Sequence, residues 1–283
     1  MAASWNLAGG DQLAPGLSAV KAIGGGNAYE AYLAFDERLY APVVVKMIRP
    51  DQVEDSEALE GLDREATMLR RLNHPGIVRL FSYKRDTERP HLVLENIDGP
   101  TLSKLISSYG PLPLAQLLPL GIELSSALYY LRQSGICHLD IKPSNIIMGA
   151  PAKLIDLSIA REAKEARELD HVLGSDEYMA PEQCRPGELG VVDHASDMWA
   201  VGATLFRAAA GYRAFDRTDE QPQVDEEPFG FPDFVPGVVG DLILACLEKD
   251  PANRPLPAEL AESIEPLLDR LPTARLSGFK LAW

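Results

Sequence analysis

The sequence has few of the residues that mark secreted, zinc-binding or membrane proteins. Its 283 residues include three cysteines, Cys137, Cys184 and Cys246, which are widely spaced and form no Cys-x-x-Cys pair. This pattern argues against a disulfide framework and a zinc site, and it indicates a reducing compartment. No apolar run approaches the roughly 20 residues that span a bilayer, and the first residues do not resemble a signal peptide. We therefore expect a cytoplasmic chain without a membrane span.

Positive charge is also scarce. The chain has 27 Lys and Arg residues against 42 Asp and Glu residues, which gives a net charge of −15. Nucleic acid and anionic membranes are therefore not expected as partners, whereas a basic protein or peptide would be attracted. The hydrophobic fraction of 46% and the charged fraction of 24% are ordinary for a globular protein. The length is sufficient for two packed lobes.

The predicted elements change character near residue 97. Alternating or β-branched strand patterns lie at residues 17–23, 29–36, 42–48, 77–83 and 91–95, with one helical pattern at 56–73. Helical patterns dominate afterwards, at residues 114–134, 195–210, 241–248 and 257–271. Between them, Ile97-Asp98-Gly99-Pro100 is typical of a linker. A strand-rich part followed by a helical part predicts two lobes with a cleft between them.

Oxygen-bearing side chains cluster in one segment of the second half. Residues 137–145 read Cys-His-Leu-Asp-Ile-Lys-Pro-Ser-Asn, and Asp156 follows at the end of a short apolar strand. Asp140, Asn145 and Asp156 supply three oxygen ligands in a turn-rich region, and such ligands suit Mg²⁺. This stretch resembles the catalytic loop H-R-D-x-K-x-x-N and the D-F-G metal motif of the eukaryotic-like (Hanks-type) protein kinases.

Other motifs of that family follow in the expected order. Residues 24–26 resemble the glycine-rich loop, and Val43-Val44-Val45-Lys46 resembles the strand V-A-I-K. Glu65 interrupts the apolar stripe of its helix at the position of the family's glutamate that pairs with the lysine. Residues 174–182, 197–202 and 250–255 are similar to the end of the activation segment, to D-x-W-x-x-G and to the last family motif. Seven ordered matches over roughly residues 12–268 make coincidence implausible.

The resemblance implies an α+β class and a bilobal protein-kinase-like fold. A small antiparallel sheet lobe with one main helix is expected at residues 12–96, a larger helical lobe at 97–268, and a tail at 269–283. The implied activity is that of a Ser/Thr protein kinase, which transfers the γ-phosphoryl group of ATP to protein hydroxyls and uses Mg²⁺, with Mn²⁺ as an alternative. The expected assembly is a monomer or a weak dimer. The excess of arginine over lysine is typical of GC-rich bacterial genomes, which favours a bacterial, actinobacterial-like member.

The resemblance also assigns catalytic roles by position. Asp140 is expected to orient the substrate hydroxyl, and Lys142 to neutralise charge on the γ-phosphate. Lys46 is expected to bind the α- and β-phosphates, held in position by Glu65. The identity of Lys142 favours Ser/Thr over Tyr substrates. Phosphoryl transfer depends mainly on positioning and charge stabilisation, so these groups suffice if they converge.

The remaining site residues are those of the metal and the nucleotide. The expected metal ligands are Asn145 and Asp156. The residues expected to contact the nucleotide, with Lys46, are Ile23, Gly24, Gly25, Gly26, Ala31, Val44, Leu94, Glu95, Asn96 and Ile97. In addition, the resemblance implies a buried ion pair between Glu182 and Arg254, and an anchoring role for Asp197 under the catalytic loop.

One departure from the family concerns regulation. Leu139 replaces the arginine that receives an activation-segment phosphate in the family, so the usual charge-pairing switch has lost its receptor. Between Asp156 and Glu182 the only hydroxyls are those of Ser158, Ser175 and Tyr178, which all match motif positions. We therefore expect little dependence on activation-loop phosphorylation.

Three further departures lie around the nucleotide. Tyr29 stands at the third glycine position of the loop, which is the most dispensable of the three, so the loop should still bind phosphate. Ser158 replaces the glycine of D-F-G and should make this segment harder to flip. The family usually has alanine at the position of Val44 and valine at the position of Ala31, so the two side-chain sizes are exchanged in this chain.

Two alternatives to a protein kinase stay open. The changes at Tyr29, Leu139 and Ser158 would suit a nucleotide-binding pseudokinase that acts as a regulatory scaffold. The loop H-x-D-x-x-x-x-N is also found in small-molecule phosphotransferases, although the Ala-Pro-Glu and Asp-x-Trp motifs disfavour that class. The acidic stretch 216–227 is either a solvated loop or a docking site for a basic partner.

Overall fold

Six strands in the first third of the chain form one antiparallel sheet with the order β1-β2-β3-β4-β6-β5. The computed structural model describes residues 3–216 and 221–271. Its strands are β1 Gln12–Ala14, β2 Leu17–Gly25, β3 Tyr29–Asp36, β4 Ala41–Ile48, β5 Leu80–Lys84 and β6 His91–Glu95. The strand pattern at 77–83 is shifted, because Ile77 and Val78 pair with Leu154 of the helical half instead of the sheet.

Alternation along β3 and β4 gives the sheet two different faces. Tyr32, Val43 and Val45 belong to an apolar core on the outer face, which the N-terminal residues Trp5 and Leu7 help to cover. Because successive side chains of a strand point to opposite faces, the side chains of Val44 and Lys46 lie on the inner face. The register of the sheet places Ala31 opposite Lys46, and Val44 opposite Leu94.

One long helix packs on the inner side of the sheet. Helix α1 spans Ser56–Arg71 and begins at the N-cap Asp55, whose carboxylate accepts a hydrogen bond from the Ala58 N–H at 2.8 Å. Its buried stripe is apolar except for Glu65, which is fully buried. A buried carboxylate needs a cationic or hydrogen-bonding partner, so this position already indicates where the site lies.

The rest of the described chain is mainly helical. The helices are α2 Leu102–Tyr109, α3 Leu114–Gln133, α4 Ala163–Arg167, α5 Pro181–Cys184, α6 His194–Ala210, α7 Gly237–Cys246 and α8 Pro257–Leu268. Two short strand pairs, β7 Ile136–Cys137 with β10 Arg161–Glu162 and β8 Ile146–Ile147 with β9 Lys153–Leu154, frame the loops of the candidate site. Short 3₁₀ turns lie at Pro143–Asn145 and Pro251–Asn253.

The predicted α+β class, with a sheet lobe and a helical lobe, is confirmed. Helix α7 begins four residues before the predicted start, because Gly237 and Gly240 after Pro236 conceal its first turn in the sequence. Residues 221–228 of the acidic stretch form no helix, and residues 217–220 lie outside the described ranges. The predicted tail is described only to residue 271. None of the described helices has the length and apolar character needed to cross a bilayer.

Candidate active site

The Lys46 ammonium joins three separate elements of the fold. Its Nζ lies 2.6 Å from Glu65 Oε2 on α1 and 2.7 Å from Asp156 Oδ1, in the segment after β9. The second oxygen of Glu65 accepts a hydrogen bond of 3.3 Å from the Leu157 N–H. Strand β4, helix α1 and the 156–158 segment are therefore connected through two carboxylates and one amine.

The charges at this junction stabilise one another. Burial alone would lower the pKa of Lys46, but the neighbouring carboxylates of Asp156 and Glu65 outweigh it and raise that pKa, so the amine stays cationic. Burial would likewise raise the pKa of Asp156, but the charge and hydrogen bond of Lys46 hold that pKa well below its ordinary value. Asp156 also adopts a positive φ of 66°, which costs backbone energy for a residue other than glycine.

A buried carboxylate of α6 fixes the loop that carries Asp140. The Asp197 oxygens accept hydrogen bonds of 2.8 Å from the His138 N–H and 2.8 Å from the Leu139 N–H. Leu139 has a φ of 65°, and its carbonyl accepts a hydrogen bond of 3.1 Å from Gln183 Nε2. These bonds hold the backbone on both sides of the strained residue, so Asp140 projects from a rigid turn.

Three side chains meet at Asp140, namely those of Lys142, Asn145 and Ser175. Its Oδ2 lies 2.8 Å from Lys142 Nζ, and its Oδ1 accepts a hydrogen bond of 2.7 Å from Ser175 Oγ. Lys142 Nζ also donates to Ser175 Oγ at 2.6 Å, which closes a triangle. The Asn145 amide nitrogen donates to Asp140 O and Oδ2, both at 3.0 Å. An acceptor carboxylate is thus held beside one cation and one hydroxyl.

Asn145 and Asp156 present oxygen donors that suit a hard divalent cation. The amide nitrogen of Asn145 is committed to Asp140, which leaves its Oδ1 as an acceptor. Among the described residues, Asp156 Oδ2 receives no hydrogen bond, while its Oδ1 binds Lys46. The Ile155 N–H donates to the Asn145 carbonyl at 2.9 Å, so the two segments run side by side. This donor set fits Mg²⁺ or Mn²⁺.

The residues predicted to contact the nucleotide lie on the inner face of the sheet and at the end of β6. Ala31, Val44 and the buried Leu94 lie near Lys46 through the register of β3, β4 and β6, while Ile23 is half exposed at the edge of β2. Glu95 differs from a simple lining residue. Its carboxylate lies 2.8 and 2.7 Å from Lys153 Nζ, so the side chain connects the linker to the helical lobe. Asn96 and Ile97 follow as partly buried residues of the linker.

The three glycines form the end of β2 and a tight turn into β3. The Gly26 N–H donates to the Tyr29 carbonyl at 2.9 Å, which closes the turn. A Cβ at Gly25 would lie 2.6 Å from that same carbonyl oxygen, so only glycine fits there. A Cβ at Gly24 or at Gly26 would meet no atom within 4 Å. The shape of the turn therefore requires glycine at Gly25, and there is free space beside the glycines on either side of it.

Leu139 lies in an apolar cluster instead of a charged pocket. Its side chain is buried with Cys137, Ala166 and Val192, and further residues of the segment after Asp156 pack around them, namely Ile159, Ala163, Leu169 and Leu173. Helix α4 and its flanks are therefore held against the Asp140 loop by apolar contacts. Gln183 Nε2 adds a hydrogen bond of 2.9 Å to the Leu173 carbonyl.

A groove opens beside the Asp140 cluster. Its cavity of about 470 Å³ is lined by Lys142, Ser175, Asp176, Phe215 and Gln223, among others. Below the groove, the predicted buried ion pair forms with distances of 2.6 and 2.9 Å between Arg254 and Glu182, and it fixes the start of α5. An extended segment of another molecule has room to lie along this groove.

A second cluster has ligand types that metals use. Cys137, His194 and Asp197 place one donor atom each within 4.8 Å of one another. Both Asp197 oxygens, however, already accept backbone hydrogen bonds, and burial raises the pKa of the Cys137 thiol. We therefore assign this cluster to support of the loop and not to a metal.

The sequence alone did not reveal several residues of the site. The sequence shows Ser175 only at a motif position of the activation segment, whereas in the structure its hydroxyl contacts both Asp140 and Lys142. Gln183 carries no recognisable signal, because its role depends on two backbone carbonyls from distant segments. Arg64 donates to the Ser158 carbonyl at 3.2 Å and so adds a second link between α1 and the 156–158 segment.

Residues 17–264 match the protein kinase domain family. The chain belongs to the protein kinase family. The chain is 32% identical to the serine/threonine-protein kinase PknB of Mycobacterium leprae over 250 residues, which cover 82% of this chain and 39% of that relative. It is 32% identical to PrkC of Bacillus subtilis, over 87% of this chain and 39% of the relative. It is 30% identical to pkn2 of Myxococcus xanthus, over 87% of this chain and 31% of that relative.

The chain spans about two fifths or less of the length of these curated relatives. The resemblance to bacterial Hanks-type kinases that the motifs predicted is confirmed, and so is the bilobal kinase fold.

Proposed function

We propose that this chain is a Ser/Thr protein kinase domain of the bacterial cytoplasm that transfers the γ-phosphoryl group of ATP to a hydroxyl of a protein substrate. The convergence of two groups of side chains carries the proposal. Lys46, Glu65 and Asp156 form one group, and Asp140 and Lys142 lie in the other, with Asn145 donating to Asp140. The names of the curated relatives support the Ser/Thr class.

The Lys46 group serves the nucleotide. Phosphoryl transfer requires little covalent help from a protein, so positioning and charge stabilisation supply most of the rate. Lys46 is held cationic by Glu65 and Asp156 and binds the α- and β-phosphates. Bound Mg²⁺, or Mn²⁺ in its place, would neutralise phosphate charge, with Asn145 Oδ1 and Asp156 as its protein ligands. The adenine ring lies between the β2–β4 side chains and the linker, against Ile23, Ala31, Val44, Leu94, Glu95, Asn96 and Ile97.

The Asp140 group serves the substrate hydroxyl. The substrate hydroxyl donates to Asp140 Oδ1, the oxygen that accepts the Ser175 hydroxyl in this structure. This hydrogen bond orients the substrate oxygen toward the γ-phosphorus. As the new oxygen–phosphorus bond forms and the bond to ADP breaks, the hydroxyl proton passes to Asp140. Lys142 stabilises the negative charge on the transferred group from the same side. The geometry thus supplies an acceptor for the proton and a cation for the phosphoryl oxygens.

We also propose that activity does not depend on activation-loop phosphorylation. Leu139 stands in an apolar cluster, and the segment from 159 to 174 has no hydroxyl that could be phosphorylated. Apolar packing of Leu169 and Leu173 near Leu139 gives the segment order without a phosphate. The groove and the net charge of −15 favour protein substrates with basic segments.

The decisive experiment compares the parent with an Asp140→Asn variant. Both are incubated with labelled Mg·ATP and a generic basic protein, and thermal unfolding is followed with and without Mg·ATP. We expect label transfer to fall by at least about 10²-fold in the variant, while the ATP-dependent thermal shift persists in both. Equal label incorporation by the two proteins would refute the kinase assignment.

The same data separate the alternative function. The substitutions at Tyr29, Leu139 and Ser158 favour a pseudokinase as the second candidate. An ATP-dependent thermal shift without label transfer by the parent would support that candidate. The absence of both signals would exclude nucleotide binding as well.

A further inference from the structure

The residue at the third glycine position of the loop makes a contact that glycine could not make. Tyr29 begins β3, and its hydroxyl donates a hydrogen bond of 2.7 Å to the Ala58 carbonyl. Ala58 lies in the first turn of α1, which is the helix that carries Glu65. The glycine-rich loop and the helix that positions the catalytic lysine are therefore connected directly by one side chain.

Helix α1 has a gap that matches this ring. A Cβ built at Gly61 would lie 2.4 Å from the Tyr29 hydroxyl oxygen and 3.6 Å from the ring carbon Cζ that bears it. Glycine inside a helix costs about 1 kcal/mol relative to alanine, so this position works against the stability of α1. The short distance to the hydroxyl explains why this position is glycine, because the methyl group of alanine would displace the Tyr29 hydroxyl.

The same ring also contacts the catalytic lysine. Lys46 Nζ lies 4.7 Å from the centroid of the Tyr29 ring, within the range of a cation–π interaction. Burial raises the pKa of Tyr29 to about 12, so the hydroxyl keeps its proton and remains a donor. One side chain thus touches the loop strand, the helix and the amine that the two carboxylates hold.

We propose that Tyr29 is a positioning residue that holds α1 against the sheet and so keeps Lys46 and Glu65 paired. The role extends the proposed kinase function, since its effect on rate rests on Lys46 acting at the phosphates. This contact would keep α1 in position without phosphorylation of the chain. Arg64, which donates to the Ser158 carbonyl, connects the same helix to the 156–158 segment.

The first test replaces Tyr29 by phenylalanine, which removes only the hydroxyl. Tyr40→Phe is the matched control, because Tyr40 is 84% exposed in the β3–β4 turn. We expect Tyr29→Phe to speed amide hydrogen exchange in residues 56–71 and to lower kcat by roughly 3- to 10-fold, the equivalent of one lost hydrogen bond. The KM for the peptide and the global unfolding temperature should match the control, which separates positioning from general destabilisation.

The second test uses the gap at Gly61. Gly61→Ala alone should lower kcat and speed exchange in residues 56–71, because its methyl group displaces the Tyr29 hydroxyl. In the Tyr29→Phe background the methyl group would lie 3.6 Å from the ring carbon Cζ and 3.9 Å from the Ser158 carbonyl oxygen, and both are ordinary contact distances. There Gly61→Ala should be neutral or stabilising, since alanine is the better helix former. This reversal of sign is the expected signature of the contact.

Two results would overturn the inference. One is unchanged exchange of residues 56–71 in Tyr29→Phe, and the other is an equal loss from Gly61→Ala in both backgrounds. Hydrogen exchange and thermal unfolding need no phosphoryl transfer, so these outcomes remain decisive if the parent transfers no label. A parent without transfer would refute the proposed function, and the exchange data would still judge the contact.

Discussion

At the scale of single residues, the site is built from charges that cannot be removed one at a time. Glu65 is fully buried, and Lys46 is its cationic partner together with the connection to Asp156. Removing the amine leaves the buried Glu65 carboxylate without its cationic partner, beside the partly exposed carboxylate of Asp156. The cost then depends on pH, because a buried carboxylate can escape the penalty by taking up a proton.

We predict that Lys46→Met is less stable at neutral pH than at mildly acidic pH, relative to the parent. Burial already raises the pKa of Glu65, and without Lys46 this effect and the charge of Asp156 are opposed only by the hydrogen bond from the Leu157 N–H. Between the unfolded and folded pKa values the folded state then binds more protons, so stability falls as pH rises through this window. The lowered pKa of Asp156 stabilises the parent above the unfolded pKa, and this contribution is also lost.

Urea unfolding at about pH 5 and about pH 8 measures this effect. The matched control is the double variant Lys46→Met with Glu65→Gln, in which the contribution of Glu65 to the pH dependence should disappear. A stability deficit of Lys46→Met that is the same at both pH values would contradict the prediction.

A second residue-scale prediction compares a buried with an exposed ion pair. Arg254 and Glu182 are both fully buried, whereas the side chains of Arg185 and Asp225 are 41% and 71% exposed. Arg254→Met leaves a buried carboxylate unpaired and should cost about 3–5 kcal/mol of unfolding free energy. Arg185→Met should cost less than about 1 kcal/mol. Equal losses in chemical denaturation would show that burial does not govern the strength of these pairs.

At the scale of secondary-structure elements, the strand patterns predict the sheet well, and the helical patterns predict the starts of α1, α3 and α8 to the residue, whereas α7 begins four residues before its predicted start. Residues 29–36 and 91–95 are strands within the predicted bounds, because turn residues flank both patterns. Strand β1 has three residues and helix α2 has eight, and neither is long enough for a clear period. The ordered motifs predict the candidate site residues, the pairing of Lys46 with Glu65 and the buried ion pair. They do not predict the contact of Lys46 with Asp156 or that of Tyr29 with α1.

Those contacts depend on tertiary structure. Lys46 and Asp156 are 110 positions apart, and nothing in the local sequence of either fixes their 2.7 Å distance. The contact of Tyr29 with α1 likewise depends on a gap at Gly61 that no periodicity reveals. Motif order and spacing thus predict the candidate site residues, whereas packing determines which neighbours contact them.

We predict that the segment after Asp156 keeps its active conformation without a phosphate. Phosphatase treatment should leave the rate unchanged, because residues 159–174 have no hydroxyl. Leu139→Ala removes the centre of the apolar cluster and should cost about 2–5 kcal/mol, with faster tryptic cleavage near Arg161 and Arg167. Leu39→Ala is the matched control, since Leu39 is 36% exposed. A rate that falls on dephosphorylation and returns on phosphorylation would refute the apolar hold.

At the scale of the whole molecule, charge is the dominant surface property. The net charge is −15, and the groove beside Asp140 has the exposed carboxylates of Asp176 and Asp216 among its lining residues. Opposite charges raise the association rate of a basic partner, and salt screens this attraction. This distribution of charge supports the proposal that the substrates carry basic segments.

We predict that the KM for a basic peptide rises with ionic strength, whereas the KM for a neutral peptide changes little. The Debye length falls from about 10 Å at about 0.1 M salt to about 3 Å at about 1 M, so the attraction is largely screened at the higher salt. Asp176→Asn together with Asp216→Asn should raise the KM for the basic peptide at low salt and flatten its salt dependence. Glu37→Gln, a change of the same type in the exposed β3–β4 turn, should leave it unaltered. Steady-state rates with both peptides over a salt series measure this, and parallel curves for the two peptides would assign substrate choice to contacts other than charge.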